Sequence, residues 1–409
     1  IKQVALRLKD MPHVIGYGPL NEPGKGFIGM KDLRDSGGFP PIGVYLTPED
    51  AILVGAGFPR TVPRTETVGW LSQISDERVT LNPYGIRAWR DADLWEQAGL
   101  WSRTDDGQAR INDYAFFADG DFLRDGLIPF TKRYTEGIRS VHPNAAIFVE
   151  STPTEAAHFA MQPGELGATV YGGHWYDVMT LFSKTFDGET ALDTNSLELA
   201  SGRAEVVETF KRNIGELVQI GSEKLGGVPT LIGEFGLAYD INQASAYKTG
   251  DFSAHALALS LYYDAMDANL VHSAQWNYTP DNNNQWGDNW NQEDLSIFSR
   301  DQQHDPSDIH SGGRAVKGFC RPFIHAGAGT LTHMHFDHAS GTFTATLTVD
   351  TAISAPTLIY APDIWYGSGM EIEVTSGNAS LTPDRDGQMI VWQEAASGTQ
   401  TLTIRPVKG

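Results

Sequence analysis

The sequence predicts a parallel α/β region followed by a small antiparallel β domain. Between residues 122 and 324, short apolar segments alternate with helical patterns, which is typical of folds in which each parallel strand is followed by a helix. After Gly327 the hydrophobic period changes to two, and short strands separated by turns follow. We find no internal repeat and no low-complexity tract. The predicted domains are residues 1–327 and 328–409.

The elements of the α/β region follow in order along the chain. Residues 1–10 have the pattern of an amphipathic helix, and residues 14–20 that of a buried strand. Residues 24–114 carry many Gly and Pro without periodicity, which predicts an irregular insertion acting as a lid or an accessory layer. The later elements are helices at 122–141, 203–225, 252–268 and near 313–324, and strands at 145–151, 167–177, 228–236 and 271–280.

Composition limits the function and the environment of the chain. Its 30 Lys and Arg residues stand against 51 Asp and Glu residues, so the formal net charge is −21. Such a surface repels phosphate backbones and anionic headgroups, which argues against nucleic acid and stable membrane adsorption. We find no apolar run of about 18 residues, so we expect a soluble protein without membrane insertion. Cys320 is the only cysteine, which suits a cytoplasmic or a secreted protein.

Three predicted strands end in groups that suit the hydrolysis of glycosides. The first ends in Asn21 and Glu22, another in Glu234, and a third in Trp276. Two carboxyl groups that face each other at about 5 to 5.5 Å suit a retaining mechanism, in which one protonates the leaving oxygen and the other attacks. An Asn beside the acid suits the sugar 2-OH, and a Trp offers a flat face to the ring. Alone, each motif is typical of a turn or a strand end, so the prediction depends on the combination.

These motifs resemble those of glycoside hydrolase family 5. "GYGPLNEP" (16–23) is similar to the family's fourth barrel strand, which implies that Glu22 is the acid/base and that Asn21 contacts the 2-OH. "IGEFG" (232–236) is similar to the seventh strand, which implies that Glu234 is the nucleophile. "GHWYD" (173–177) is similar to the sixth strand. That likeness implies that Tyr176 hydrogen-bonds the nucleophile and that His174 orients the site.

The region after the last α/β strand narrows the resemblance to one branch of the family. Residues 276–301 are similar to the corresponding stretch of endoglycoceramidases and of fungal glucosylceramide and steryl-glucoside β-glucosidases. The likeness implies that Trp276 forms the floor of the sugar subsite and that Asn277 also contacts substrate. Trp286 and Trp290 are candidates for the aglycone entrance, although packing of the loop onto the barrel is an equal alternative.

The resemblance implies a (β/α)8 TIM barrel over residues 1–327, with an insertion at about 24–114, and a C-terminal antiparallel β-sandwich over residues 328–409. The chain would supply barrel strands four to eight. We expect strands one to three to come from a missing N-terminal segment or from a second chain.

The function implied is that of a retaining β-glycosidase that removes β-linked glucose from a lipid aglycone, either glucosylceramide or a steryl glucoside. It needs neither a metal nor an organic cofactor. The alternatives are the release of whole glycans in the manner of an endoglycoceramidase, another β-glucosidase or β-glucanase activity, and an inactive carbohydrate-binding barrel.

Two further motifs resemble metal sites, and both are weak. "THMHFDHASG" (332–341) offers three His side chains by type, but His338 is the last histidine of the chain, and metallo-hydrolases with this pattern need more downstream. We therefore interpret His333, His335 and His338 as surface residues on a strand and a turn. The Asp- and Asn-rich stretch 281–294 lacks the spacing of an EF-hand, so we interpret it as a substrate loop.

Overall fold

The computed structural model describes residues 1–36, 43–68, 71–151, 164–290, 293–382 and 388–407. The chain divides into two compact units, residues 1–145 and 146–409. The first unit contains the predicted insertion, and the second contains most of the α/β strands together with the C-terminal β strands. Within the residues that the structure describes, no helix combines the length and the apolar character needed to cross a bilayer.

The first unit consists of short helices and two antiparallel hairpins, in which β2 pairs with β3 and β4 pairs with β5. Helix α2 begins at a capping box, because the Asp50 amide donates to Thr47 Oγ1 and the Asp50 carboxylate accepts from Thr47 in return. The elements are α1 (Lys2–Leu8), β1 (Gly16–Tyr17), α2 (Pro48–Gly55), β2 (Arg60–Val68), β3 (Leu71–Leu81), α3 (Leu94–Gln97), β4 (Trp101–Arg103), β5 (Ala109–Ile111), a π-helical turn (Phe122–Leu127) and α4 (Ile128–Arg139).

The insertion at 24–114 is more ordered than its sequence predicts. It buries a small apolar core of its own, formed by Leu33, Ile52, Leu53, Ala56, Leu100, Trp101 and Ile111. The expectation of an irregular segment is wrong for the two hairpins. Strands β2 and β3 form a two-stranded antiparallel ribbon whose described side chains are mostly exposed or half-buried, with Val62 buried. A ribbon with so little burial gives only a weak hydrophobic period of two in the sequence.

Parallel pairing organises the α/β part of the second unit. Strand β6 pairs with β7, and β10 pairs with β11, both in parallel. Parallel bridges between Tyr171 and Thr230, and between His174 and Glu234, join the two pairs. The carboxyl ends of these four strands therefore lie along one edge. The elements are β6 (Ala146–Val149), β7 (Thr169–Tyr171), α5 (Val178–Ser183), β8 (Thr190–Leu192), β9 (Leu199–Ser201), α6 (Arg203–Gln219), a π-helical turn (Ile220–Lys224), β10 (Leu231–Phe235), α7 (Ile241–Thr249), α8 (Ser253–Ala268) and β11 (His272–Gln275).

An aromatic cluster anchors the segment after β7 to helices α6 and α8. The rings of Trp175, Phe210 and Tyr262 meet edge to face, with centroids 5.2, 5.1 and 5.4 Å apart. Trp175 is buried, with 4% of its surface exposed. In extended chain, successive side chains point to opposite faces. Burial of Trp175 against the helices therefore directs its neighbours His174 and Tyr176 to the other face.

The C-terminal strands form two four-stranded antiparallel sheets. One has the order β12-β15-β18-β17 and the other β13-β14-β19-β16. Side chains from both sheets share one apolar core, which includes Phe336, Phe343, Leu347, Ile359, Ile390, Trp392, Leu402 and Ile404. The elements are a 3-10 turn (Arg300–Gln302), α9 (Val316–Phe319), β12 (Phe323–Ala326), β13 (Gly329–Asp337), β14 (Thr342–Val349), β15 (Thr357–Tyr360), α10 (Asp363–Tyr366), β16 (Met370–Val374), β17 (Asn378–Thr382), β18 (Met389–Gln393) and β19 (Gly398–Pro406).

The transition into the β domain differs from the predicted helix near residues 313–324. Helix α9 is a single turn, Val316–Phe319, and β12 follows at Phe323–Ala326. Strand β12 pairs with β15 and so belongs to the C-terminal sheets. The apolar run that suggests one helix is thus divided between a helical turn and a strand, because Arg321 and Pro322 separate them.

Candidate active site

The strand ends of the second unit bring together three of the predicted site residues. Glu234 lies on β10, and His174 and Tyr176 lie just after β7. The parallel bridge between His174 and Glu234 holds these segments in register, and the Trp175 amide donates to the Glu234 carbonyl over 2.9 Å. The backbone thus fixes the spacing of the three side chains.

The Glu234 carboxylate has two neighbours on the same oxygen. Tyr176 Oη donates a hydrogen bond of 3.0 Å to Oε2, and His174 Nδ1 lies 3.5 Å from that atom. The His174 side chain is 2% exposed, whereas that of Glu234 is 17% exposed. The carboxylate is therefore oriented by buried and half-buried groups and remains in reach of solvent, as a nucleophile requires.

Glu150 is a fourth member of this cluster that the sequence analysis missed. It directly follows β6, and its Oε2 lies 3.5 Å from Nε2 of His174, on the ring edge opposite Glu234. The segment "AIFVES" reads only as a buried strand. Its position at the carboxyl end of a strand was the available signal.

Glycines at the strand ends give these side chains room. A Cβ on Gly233 would lie 3.2 Å from the His174 ring, and one on Gly172 would lie 3.3 Å from Cγ of Glu150. Both separations are tighter than ordinary van der Waals contacts. Beneath them, Ser151 and Tyr171 form a buried hydroxyl pair at 3.0 Å, and burial raises the pKa of the Tyr171 phenol.

Trp276 and Asn277 follow β11, the next strand, and the peptide bond between them is cis. The Trp276 ring is half-buried and meets Trp290 edge to face, with ring centroids 6.2 Å apart. Asn277 has partners within its own loop, since its Nδ2 donates to Asp288 over 3.1 Å and its Oδ1 accepts from Thr279 over 2.9 Å. Its role as a substrate contact stays a prediction.

The loop that follows β11 presents Trp286 and Trp290 to solvent, with 65% and 55% of their surfaces exposed. Their role at the aglycone entrance stays a prediction, and the contact of Trp290 with Trp276 keeps packing as the alternative.

A buried polar network holds the base of this loop. Asn282 Nδ2 donates to Asp288 over 2.8 Å and to Asp294 over 2.9 Å. The guanidinium of Arg314, which is fully buried, pairs with Asp294 over 2.7 Å and lies 4.1 Å from the centre of the Tyr239 ring. These aspartates accept from protein donors. The Trp side chains therefore stand on a firmly held support.

Asn21 and Glu22 lie in the first unit, shortly after β1. Glu22 is half-buried with a backbone φ of 39°, and Asn21 is exposed. A non-glycine residue in the left-handed region is uncommon and recurs at functional sites. In the same unit, Tyr134 Oη donates to the Gly18 carbonyl over 2.9 Å and ties helix α4 to the segment that leads to Glu22.

The three His side chains of "THMHFDHASG" lie on β13 and the turn after it. His333 and His335 are exposed, and the half-buried ring of His338 meets Trp365 edge to face with centroids 5.1 Å apart. This arrangement agrees with the interpretation of surface residues on a strand and a turn.

One family model and several known proteins are similar to this chain in sequence. Residues 321–404 match the glycoside hydrolase family 5 C-terminal domain. The chain is 26% identical over 414 residues to a glucosylceramidase of Rhizopus delemar, and 29% identical over 430 residues to a glucosylceramidase of Cryptococcus neoformans var. grubii. These alignments cover 93% and 95% of this chain, and 60% and 58% of the two relatives. The chain thus spans about three fifths of their length.

Among solved structures, sterylglucosidase 1 of Cryptococcus neoformans has a TM-score of 0.86 at 24% sequence identity. The comparison covers 100% of this chain and 66% of that one, and it shows a common fold. Together with the sequence matches, it confirms the resemblance inferred from the motifs. Residues 321–404 thus belong to the C-terminal domain of glycoside hydrolase family 5, and nearly the whole chain is similar to proteins named glucosylceramidase.

Proposed function

We propose that the protein is a retaining β-glycosidase in which Glu234 is the nucleophile. The observation that carries this proposal is the hydrogen bond of 3.0 Å from Tyr176 Oη to Glu234 Oε2, at the carboxyl end of a parallel strand. A carboxylate held in this way has one oriented oxygen and one oxygen available for attack. The parallel strands of the second unit suit a (β/α)8 barrel, in which this edge carries the reaction.

The reaction proceeds in two displacements. In the first, Glu234 attacks the anomeric carbon, the bond to the aglycone oxygen breaks, and Glu22 gives its proton to that oxygen. In the second, Glu22 takes a proton from water, the water oxygen bonds to the anomeric carbon, and the bond to Glu234 breaks. Asn21 binds the sugar 2-OH, and Trp276 supports the ring. The assignment of Glu22 and Asn21 rests on the motif "GYGPLNEP".

The proposed substrates are β-glucosides of lipids. Two relatives of the chain are glucosylceramidases, and a protein of the same fold is a sterylglucosidase. The exposed Trp286 and Trp290 offer apolar faces on a braced loop directly after Trp276, which suits contact with a lipid aglycone beyond the sugar. We therefore propose that glucosylceramide or a steryl glucoside is cleaved to glucose and the free lipid.

The test is to incubate the protein with 4-nitrophenyl β-glucoside, glucosylceramide and ergosteryl glucoside, and to follow the released sugar by proton NMR. We expect β-glucose as the first-formed anomer. The variant Glu234→Gln should be inactive, whereas the matched surface variant Glu223→Gln should retain activity. First-formed α-glucose would refute the retaining mechanism. An intact disaccharide released from lactosylceramide would instead favour the endoglycoceramidase alternative.

A further inference from the structure

His174 lies between two carboxylates at the strand ends. Its Nδ1 faces Oε2 of Glu234, and its Nε2 faces Oε2 of Glu150, each over 3.5 Å. The ring side chain is 2% exposed, and each glutamate side chain is 17% exposed. The three groups come from three successive strand ends, β6, β7 and β10. The contact with Glu234 involves the proposed nucleophile, and the contact with Glu150 needs an explanation of its own.

Two glycines pack closely against the His174 ring and the Glu150 side chain. The His174 ring lies against Gly233, and the Glu150 side chain passes Gly172, so a Cβ at either glycine would meet them at 3.2 or 3.3 Å. Glycine at both positions therefore allows the ring and the Glu150 side chain to occupy these places, and a larger residue would displace them.

The second carboxyl group gives the ring a contact at each of its nitrogens. A carboxyl group can share one hydrogen with a ring nitrogen, either as the acceptor from N–H or as the O–H donor. With Glu150 at Nε2, the ring is held from both nitrogens in the orientation that places Nδ1 3.5 Å from Oε2 of Glu234.

We propose that Glu150 is a positioning residue for the nucleophile, because it holds the His174 ring through Nε2 and so keeps Nδ1 beside Oε2 of Glu234. This inference deepens the proposed function and rests on it. During the first displacement, Glu234 loses its charge as its oxygen bonds to the sugar. Glu150 keeps its contact with Nε2 during this step, so Nδ1 stays beside Oε2 of the ester. Orientation of a functional His through its second nitrogen is a general device.

The kinetic test uses Glu150→Gln on an activated aryl β-glucoside. We expect kcat to fall by roughly 10- to 100-fold with KM changed less than about twofold, since the sugar contacts are intact. Glu150→Asp, which keeps the charge on a shorter side chain, should recover part of the loss and guards against a folding defect. Glu216→Gln removes a half-buried carboxyl from helix α6 and serves as the matched control.

A double-mutant cycle separates positioning from a general structural effect. In a His174→Gln background, Glu150→Gln should change kcat by less than about twofold, because its target is gone. If the two losses multiply in the double variant, or if Glu150→Gln alone has the kcat of the wild type, the proposal is wrong.

A spectroscopic experiment tests the same proposal without measuring turnover. In protein labelled with ¹⁵N-histidine, the ring signals of His174 are identified by their loss in His174→Gln. We expect the ring ¹⁵N signals of His174 to differ between the wild type and Glu150→Gln, because the group that faces Nε2 changes from a carboxyl to an amide. Identical ring signals in these two proteins would overturn the proposal. If the wild type cleaves none of the β-glucosides, the proposed function fails, and this experiment still decides the role of Glu150 towards His174.

Discussion

Two clusters of carboxylates in the second unit differ in the basic side chain at their centre. At the strand ends, the His174 imidazole lies between Glu150 and Glu234, and both carboxylates are partly exposed. At the junction of helix α8 with the β domain, the Arg321 guanidinium pairs with Asp267 and lies 3.8 Å from Asp264. An imidazole gains and loses a proton in the physiological range, whereas a guanidinium remains charged.

The contrast separates carboxylates that belong to a structural ion pair from carboxylates of the candidate active site. Arg321 is 6% exposed and lies 5.2 Å from the ring centre of Tyr263 and 5.4 Å from that of Phe336, so it joins helix α8 to the β domain by packing and charge together. Burial raises the pKa of Asp267 to about 6 although Arg321 opposes the shift. The junction is closed and its guanidinium stays charged, whereas the carboxylates at the strand ends remain in reach of solvent. The first suits structure and the second suits a reaction.

The largest effect that we expect is on activity, from Glu234→Gln. Turnover of 4-nitrophenyl β-glucoside should fall by at least about 10⁴-fold, because no covalent intermediate forms. The free energy of unfolding should change little, since the side chain is partly exposed and the amide keeps its shape. Urea denaturation alongside the assay checks both. A large loss of stability with retained turnover would mean that Glu234 stabilises the fold and does not take part in the reaction.

Arg321→Met should have the largest effect on stability. Removing the guanidinium leaves Asp264 and Asp267 without their cation, so we expect the free energy of unfolding in urea at pH 7 to fall by about 3–5 kcal/mol. The matched control is Arg405→Met, whose exposed partner Glu373 lies 3.1 Å away and whose pair should contribute less than about 1 kcal/mol. Equal losses in the two variants would mean that the junction is no more than a surface ion pair.

The pH dependence of stability sharpens the comparison further. The pKa of Asp267 is raised to about 6 in the folded protein, above the value of about 3.9 expected in the unfolded chain. The native state therefore binds this proton more tightly, and its stabilising contribution is complete below pH ~4 and is lost as the pH rises through ~6. Relative to Asp267→Asn, the wild type should lose about 2 kcal/mol of stability between pH 4 and pH 7.

The matched control for this measurement is Asp76→Asn, on the exposed ribbon of the first unit. Its unfolding free energy should run parallel to that of the wild type across the same range. A constant difference between the wild type and Asp267→Asn would contradict the coupling of this carboxyl to its buried site.

The smallest effect concerns the orientation of the nucleophile. Tyr176→Phe removes the hydrogen bond to Glu234 Oε2, which is worth about 1 to 2 kcal/mol when the acceptor is charged. We expect kcat/KM to fall about tenfold or somewhat more. The control Tyr84→Phe removes a hydroxyl from an exposed residue of the first unit and should leave kinetics unchanged. No change in Tyr176→Phe would mean that the contact does not orient the carboxylate during the reaction.

Much of the α/β framework was predictable because buried parallel strands are continuous apolar runs. The spacing of His174 and Tyr176 by two residues placed both on one face, since an extended segment alternates its sides. The structure brings both side chains to Glu234, as the motifs imply. The roles assigned to Glu22 and to the Trp side chains stay predictions.

Other features left little mark in the sequence. The ribbon of β2 and β3 consists mainly of polar residues that pair through the backbone, which a polar sequence permits. Glu150 directly follows an ordinary buried strand, which is a weak signal, and the structure adds its distance of 3.5 Å to His174 across the sheet. The helix predicted near residues 313–324 is shorter in the structure because Pro322 follows it. The apolar periodicity behind that prediction takes no account of proline.

The central claim is that Glu234 forms a covalent bond to the sugar, and trapping that bond tests it most directly. A 2-deoxy-2-fluoro-β-glucoside with a good leaving group slows the second displacement, so the glycosyl enzyme accumulates and is measured by mass spectrometry after peptide digestion. We predict one fluoroglucosyl group per chain, on the peptide that contains Glu234, and none in Glu234→Gln. A label on another carboxylate, or turnover of the parent glucoside with no label, would contradict the account.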